Sequence, residues 1–179
     1  MTIDPADALI AAWRAELPDV LYPTSELTKR TMLLAARLDE ATRRELPELG
    51  LTAAEFDILV SLRRSGNPYK LKPNQLASGL MLSTGGTSNV VNRLVRLGLV
   101  EREPDPDDRR STLIGLTPKG VALAEQAVRA IAQAHADVFA GVPDEVVTAA
   151  TDALRDLFAA MKRRPGNRGE RGRRPSRAA

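Results

Sequence analysis

The chain has 179 residues, 43% of them apolar, with 26 Lys plus Arg against 23 Asp plus Glu and a formal net charge of +3; that length suits one ordinary domain with arms and a real core. It has no cysteine and a single histidine, His135, which excludes disulfide staples, thiolate zinc sites, a cysteine redox sensor and a His-rich metal site. No apolar run approaches the about 20 residues of a bilayer-spanning helix, and Met1-Thr2-Ile3-Asp4 lacks the basic-then-apolar order of a signal peptide, so the expectation is a soluble, cytoplasmic protein with no membrane partner and no cofactor.

The charge is divided unevenly. Residues 1–60 carry 6 basic and 11 acidic groups (−5), 61–120 carry 10 and 5 (+5), 121–161 carry 2 and 6 (−4), and 162–179 carry 8 and 1 (+7). A basic middle between acidic flanks suggests a segment meant for a polyanion, held by segments meant for something else; chance clustering is the alternative on charge alone.

In chain order, Pro5 to Leu17 predicts a short helix carrying Leu9, Ile10 and Trp13, stopped by Pro18. From about Thr24 to Leu46, Leu27, Leu34, Leu38 and Ala41 recur along one helical stripe, widened by Met32 and Leu33. That face needs a partner, either the rest of the chain or a second copy. Thr52-Ala53-Ala54-Glu55 is a capping box, since each end residue can satisfy the other's backbone N–H, and Phe56, Leu59 and Val60 follow as the expected core face. Ser65-Gly66-Asn67-Pro68 closes that helix, and a shorter one with Pro73 in its first turn ends near Gly79. Ser83 is the expected N-cap of the next helix, with Val91 and Leu94 inward and Gly98 as its left-handed stop.

The period then changes. Leu99 to Arg102 and Ser111 to Leu116 read as two strands around the turn-forming Pro104-Asp105-Pro106-Asp107-Asp108, a hairpin with a charged tip. Thr117-Pro118-Lys119-Gly120 opens an alanine-rich helix to about Ala140, with Leu123, Val128, Ile131 and Val138 as its larger apolar groups. Pro143-Asp144-Glu145 starts the last helix, with Val146, Val147, Ala150, Leu154, Leu157, Phe158 and Met161 as its apolar set. Residues 164–179 are Arg, Gly, Pro and Ser with little to bury, and disorder is expected there.

Short helices followed by a two-stranded hairpin make the plan of a winged helix-turn-helix. Its second helix must present small or hydrogen-bonding side chains so that it can approach base edges in the major groove; the expected outward set is Thr84, Thr87, Ser88, Asn89, Asn92, Arg93 and Arg96. Gly85 and Gly86 remove bulk where the helix start nears a phosphate. In the wing, Arg109 and Arg110 suit a narrow minor groove, with Asp108 orienting one of them, and Arg63, Arg64, Lys70 and Lys72 are available for phosphates. Ser83 serves equally as a cap and as a phosphate donor.

These residues resemble a known family. Leu80-Met81-Leu82-Ser83-Thr84-Gly85-Gly86-Thr87-Ser88-Asn89, Arg93-Leu94 and Gly98-Leu99-Val100-Glu101-Arg102 are similar to the recognition helix and first wing strand of MarR-type transcriptional regulators. The resemblance continues through Asp105-Pro106-Asp107-Asp108-Arg109-Arg110-Ser111 and Leu116-Thr117-Pro118-Lys119-Gly120. It implies a mainly α protein: a winged helix-turn-helix lobe with a two-stranded β wing over 51–120, an N-terminal dimerisation arm over 1–50, C-terminal dimerisation helices over 121–163 and a basic tail over 164–179. It further implies a homodimer reading an inverted repeat in double-stranded DNA, with repression often relieved by a small aromatic or phenolic ligand between the arms and the lobe. The DNA-binding set so implied is Ser83, Thr84, Gly86, Thr87, Ser88, Asn89, Asn92, Arg93, Asp108, Arg109 and Arg110. Asn92 stands where the family often has an acidic residue, which bears on any pair between that helix and a wing arginine.

Other readings carry less. Asp105, Asp107 and Asp108 lack the glycine-centred spacing of a calcium loop, so no metal site is expected. Thr148, Thr151 and Ser111 have no base at nucleophile spacing and His135 reads as surface or packing, so no enzyme is expected. Trp13, Tyr22 and Tyr69 suit either a ligand pocket or apolar packing. The tail's Arg171-Gly172-Arg173-Arg174-Pro175 is close to a minor-groove AT-hook core with one arginine inserted, though such tails usually add only phosphate attraction. The competing class is a winged-helix protein-interaction module without sequence-specific DNA binding.

Overall fold

The computed structural model describes residues 4–80, 84–106, 108 and 111–162. Along the chain run α1 (Pro5–Glu16), a single 3-10 turn (Pro18–Val20), α2 (Ser25–Glu45), α3 (Ala53–Arg64), β1 (Lys70–Leu71), α4 (Pro73–Leu80), α5 (Thr84–Arg96), β2 (Val100–Pro104), β3 (Thr112–Leu116), α6 (Pro118–Val138) and α7 (Asp144–Lys162). The helix boundaries follow the caps. Asp4 accepts from the Ala6 N–H, the capping box of Thr52 and Glu55 forms at both ends, and Lys72 N–H donates to Gln75 Oε1 at 2.8 Å. Gly98, at φ +68°, ends α5 with its own N–H on Val95 and the Leu99 N–H on Leu94 O at 3.0 Å, a left-handed stop that a side chain would strain. The tail expected to be disordered lies outside the described residues.

The wing has a third strand that the hairpin reading lacks. The strand order is β1-β3-β2, all antiparallel, with Lys70 opposite Gly115 and Leu71 opposite Ile114. A two-residue strand has no periodicity to detect, and this one exists because β3 presents a free edge to the turn before α4. β2 and β3 pair from Val100↔Leu116 to Pro104↔Thr112.

The core is shared by α3 (Ile58, Leu59, Leu62), α4 (Leu76), α5 (Val91, Leu94), the sheet (Val100, Ile114, Leu116) and α6 (Ala124, Ala127, Ile131). One face is rotated from expectation. On α3 the buried set is Glu55, Ile58, Leu59 and Leu62, with Phe56 and Val60 only half-buried, because the capping box turns Glu55 inward and the i, i+3, i+4, i+7 row follows it. On α6 the buried row is Gly120, Ala124, Ala127 and Ile131 while Val128 is exposed. Small residues there let the helix axis approach the lobe closely.

That approach is tightest at the first turn of α6. A Cβ on Gly120 would lie 1.9 Å from the Leu99 carbonyl oxygen. Around it, Thr117 Oγ1 accepts from the Gly120 N–H and donates to the Gly98 carbonyl at 2.8 Å, while Lys119 Nζ donates to the Leu97 carbonyl at 3.0 Å.

The arms are less completely covered. α1 buries Ala6 and Ile10, and Arg30 of α2 pairs with Asp4 at 2.9 Å and with Asp7 and Glu26. α2 packs on α6, where Thr42 Oγ1 and His135 Nε2 meet at 2.8 Å, placing His135 in packing as expected. Yet α2 has no fully buried residue, and Leu27, Met32 and Leu34 remain exposed. The chain divides after Val138 into two compact units, with α1 to α6 in the first and α7 in the second. α7 exposes Val146, Leu154, Phe158 and Met161. No helix among the described residues is long and apolar enough to cross a membrane.

Gly120→Ala is expected to cost stability at the upper end of the about 1–3 kcal/mol typical of overpacking, because the obstacle is backbone. Thermal or urea unfolding measures it; a Tm unchanged from the parent would contradict the close contact.

Candidate nucleic-acid interface

α5 turns three kinds of residue in three directions. Thr87, Val91 and Leu94 form one buried row; Thr87 is 3% exposed and does not belong to the outward set expected from the sequence. Its position at i−4 from Val91 and i−7 from Leu94 fixes that direction, and a threonine is small enough to sit there. Ser88, Asn89, Asn92 and Arg96 are exposed, and Gly86 is half-buried. Thr84 opens the helix. Ser83, Arg109 and Arg110 lie outside the described residues.

Consecutive residues of α5 are then tied to two different elements. Asn92 Oδ1 accepts from Arg102 Nη2 of β2 at 2.8 Å. The helix-to-wing connection therefore forms with an amide in place of the acid. Arg93, expected to face DNA freely, is half-exposed, and its Nη1 lies 2.9 Å from Glu55 Oε1 and 3.0 Å from Oε2. Glu55 also accepts from the Thr52 N–H and Oγ1, both at 2.8 Å, and is 1% exposed. A buried carboxylate requires such a set of donors; its side chain joins the start of α3 to the middle of α5.

The wing is braced from below. Lys70 Nζ sits 2.6 Å from Glu103, and Lys72 Nζ sits 2.7 Å from Asp105, which is buried. The loop closes by backbone bonds, with the Asp105 N–H on Ser111 O at 3.1 Å and the Ser111 N–H on Asp108 O at 2.8 Å. Asp108 is exposed at that tip. Arg63 of α3 donates twice to Glu125 Oε1 of α6, at 2.8 and 3.1 Å, and its guanidinium lies 4.7 Å from the Tyr69 ring centre. Three of the four cations expected to serve phosphates (Arg63, Lys70 and Lys72) are thus on carboxylates. Tyr69 packs against the core, whereas Trp13 and Tyr22 are exposed.

Reading along the chain missed Glu55, Glu103, Asp105 and Arg102 as members of the site. Their signal is the matching of opposite charges between segments distant in sequence, invisible without the register of β1, β2 and β3. Among the described residues, no group of three or more His, Asp and Glu is placed to hold a metal ion.

A profile of the MarR family matches residues 49–111, which span α3 to the wing tip. The HTH-type transcriptional regulator PecS of Dickeya dadantii is 31% identical over 140 residues, 78% of this chain and 84% of PecS. The chain belongs to the MarR family. It is a winged-helix transcriptional regulator. Among solved MarR-family structures, a mutant E. coli MarR complexed with operator DNA superposes with a TM-score of 0.62 at 26% identity, covering 82% of this chain and 97% of that one. Bordetella bronchiseptica BpsR, whose DNA binding is regulated by 6-hydroxynicotinic acid, superposes with a TM-score of 0.61 at 25% identity, covering 77% and 96%.

The Arg63 hydrogen bond, seconded by Arg129, holds the Glu125 carboxyl below its ordinary value of 4.5. A depressed carboxylate contributes stability that is present above the ordinary pKa and lost as pH falls through the folded-state one. Unfolding followed from about pH 6 to about pH 3 is expected to show a steeper acid-side loss in the parent than in Arg63→Gln. Equal slopes would remove this pair from the acid response.

Proposed function

We propose that this MarR-family chain is a cytoplasmic, homodimeric repressor that binds an inverted repeat in double-stranded DNA and is released by a small aromatic or phenolic ligand. The observation that carries the reading is the exposed face of α5. Ser88, Asn89 and Arg96 are exposed on a helix that is held at its inner face and tied through Asn92, also exposed, to a braced wing. Amides and hydroxyls of this size can reach base edges in the major groove, with Asn suited to adenine. Ser83, Thr84, Gly86, Asp108, Arg109 and Arg110 complete the contact set at the helix start and wing tip, where helix N–H groups and guanidinium groups meet phosphates and the minor groove. The operator complex of E. coli MarR supports the nucleic acid, and BpsR supports a small-molecule effector.

Dimerisation is assigned to segments 1–50 and 121–163. The exposed Leu9, Trp13, Leu17, Val20 and Leu27 of the N-terminal arm, and Val146, Leu154, Phe158 and Met161 of α7, leave more apolar surface uncovered than a lone chain needs. One bound dimer places two copies of α5 at half-sites about one helical turn apart.

Random-site selection with the full chain, followed by anisotropy titration, tests the reading. A palindromic site bound far above scrambled DNA is expected, and Asn89→Ala should weaken it by about 1–3 kcal/mol and relax preference at one base pair per half-site. A selection that enriches no sequence would refute DNA reading by α5. Sedimentation velocity should give twice the 19.4 kDa chain mass, and Phe158→Glu combined with Trp13→Glu should shift it toward monomer; a parent that sediments as monomer removes the dimer.

A further inference from the structure

We infer that Arg93 is a positioning residue: its ion pair with buried Glu55 fixes the rotation of α5 about its own axis and so sets which side chains meet the bases. This rests on the reading of α5 as the DNA-facing helix. Arg93 points from the same helix as Ser88 and Asn89, and a free arginine there would ordinarily be assigned to a phosphate. The geometry assigns it elsewhere. Its Nη1 spans both oxygens of Glu55 at 2.9 and 3.0 Å, and Glu55 is 1% exposed with its other bonds made to Thr52. Among the described residues Arg93 supplies the cation that pairs with this carboxylate. Moving it to a phosphate would leave a buried charge without its counter-ion, which is costly, so the existing pair outcompetes a solvent-exposed phosphate contact.

The neighbouring bond makes the device two-sided. Asn92 holds Arg102 of β2 and Arg93 holds Glu55 of α3. Consecutive helical residues project about 100° apart, so the two bonds brace the helix against rotation in either sense while Thr87, Val91 and Leu94 anchor the inner face. A rotation of α5 would carry Ser88 and Asn89 off their base edges while the phosphate contacts made outside α5 remain. Loss of the strut should therefore lower discrimination between sequences rather than charge-driven affinity.

The test compares the full-length parent, Arg93→Gln, Glu55→Gln and the double variant. The glutamine at 55 keeps an oxygen for the Thr52 cap; Arg93→Gln is expected to lower Tm because it leaves Glu55 without its counter-ion. All titrations are therefore run well below the lowest Tm, where a single cooperative unfolding transition shows that the fold survives. Each protein is titrated against the selected site and against scrambled DNA over a range of salt. A phosphate contact predicts that Arg93→Gln lowers the magnitude of the slope of log K against log salt by about 0.9 and weakens both DNAs equally. The strut predicts an unchanged slope and an about tenfold fall in the selected-to-scrambled ratio, a loss comparable to one mismatched base pair. It also predicts the same fall for Glu55→Gln, and no further fall in the double variant. Amide exchange without DNA gives an independent readout: both single variants should exchange faster in α5 relative to α6. A reduced slope with an intact ratio, or a Glu55→Gln protein that discriminates as well as the parent, overturns the strut. So does unchanged α5 exchange in both variants. A parent with no sequence preference at all overturns the DNA reading of α5, and the exchange comparison then decides the strut by itself.

Discussion

The junction at Leu99 and Gly120 governs how the rest of the molecule is arranged. The carbonyl of Leu99 occupies the space of a missing Cβ, so α6 enters the lobe at its first turn and continues away along α2. Thr117 and Lys119 bind the carbonyls at 97 to 99 that the end of α5 and the start of β2 leave available. The end of α5, the root of the wing and the beginning of α6 are thereby one rigid corner. A shift of α6 at the arm has to be accommodated at that corner or in the neighbouring lobe, because backbone-to-backbone contact leaves little slack.

The lobe distributes its stability and its precision differently. Leucine, isoleucine and alanine rows from α3, α4, α5, β3 and α6 supply the burial, while orientation comes from a few buried or half-buried polar bonds at the periphery. Glu55 and Asp105 are both almost fully buried carboxylates, each beside a cation from a different element. Apolar packing tolerates small sliding of a helix because its contacts are non-directional. Charge-assisted bonds do not, and they sit where sliding would matter most, between α5 and α3 and between the wing and the segment leading into α4.

Most helix limits could be read from the chain because caps are local: Thr52 with Glu55, Pro73 and Gly98 each act within a few residues of themselves. The wing hairpin was legible for the same reason, through the turn chemistry around Pro104 to Asp108. What escaped depended on distance or on rotation. β1 is two residues long and is defined by its partner Gly115. Thr87 carries no apolar label strong enough to mark it as inward, and one residue of error rotates a helical face by about 100°. The roles of Arg63, Lys70, Lys72 and Arg93 were open in the sequence because a basic residue looks the same whether it faces a phosphate or a carboxylate far along the chain. Only the tertiary fold brings Glu125, Glu103, Asp105 and Glu55 to them.

Those four pairs change what the basic middle of the chain means. Of the ten basic residues in 61–120, four in the described part spend their charge inside the protein. Non-specific attraction to DNA grows with the number of phosphates neutralised, so an internally neutralised surface holds arbitrary sequence only weakly. In a cell, where non-target sites vastly outnumber the target, weak holding shortens each unproductive stop and leaves a larger share of the protein free to search. On the proposed DNA reading, the lobe gives up raw grip on the polymer, and the choice of where it comes to rest falls to the exposed side chains of α5.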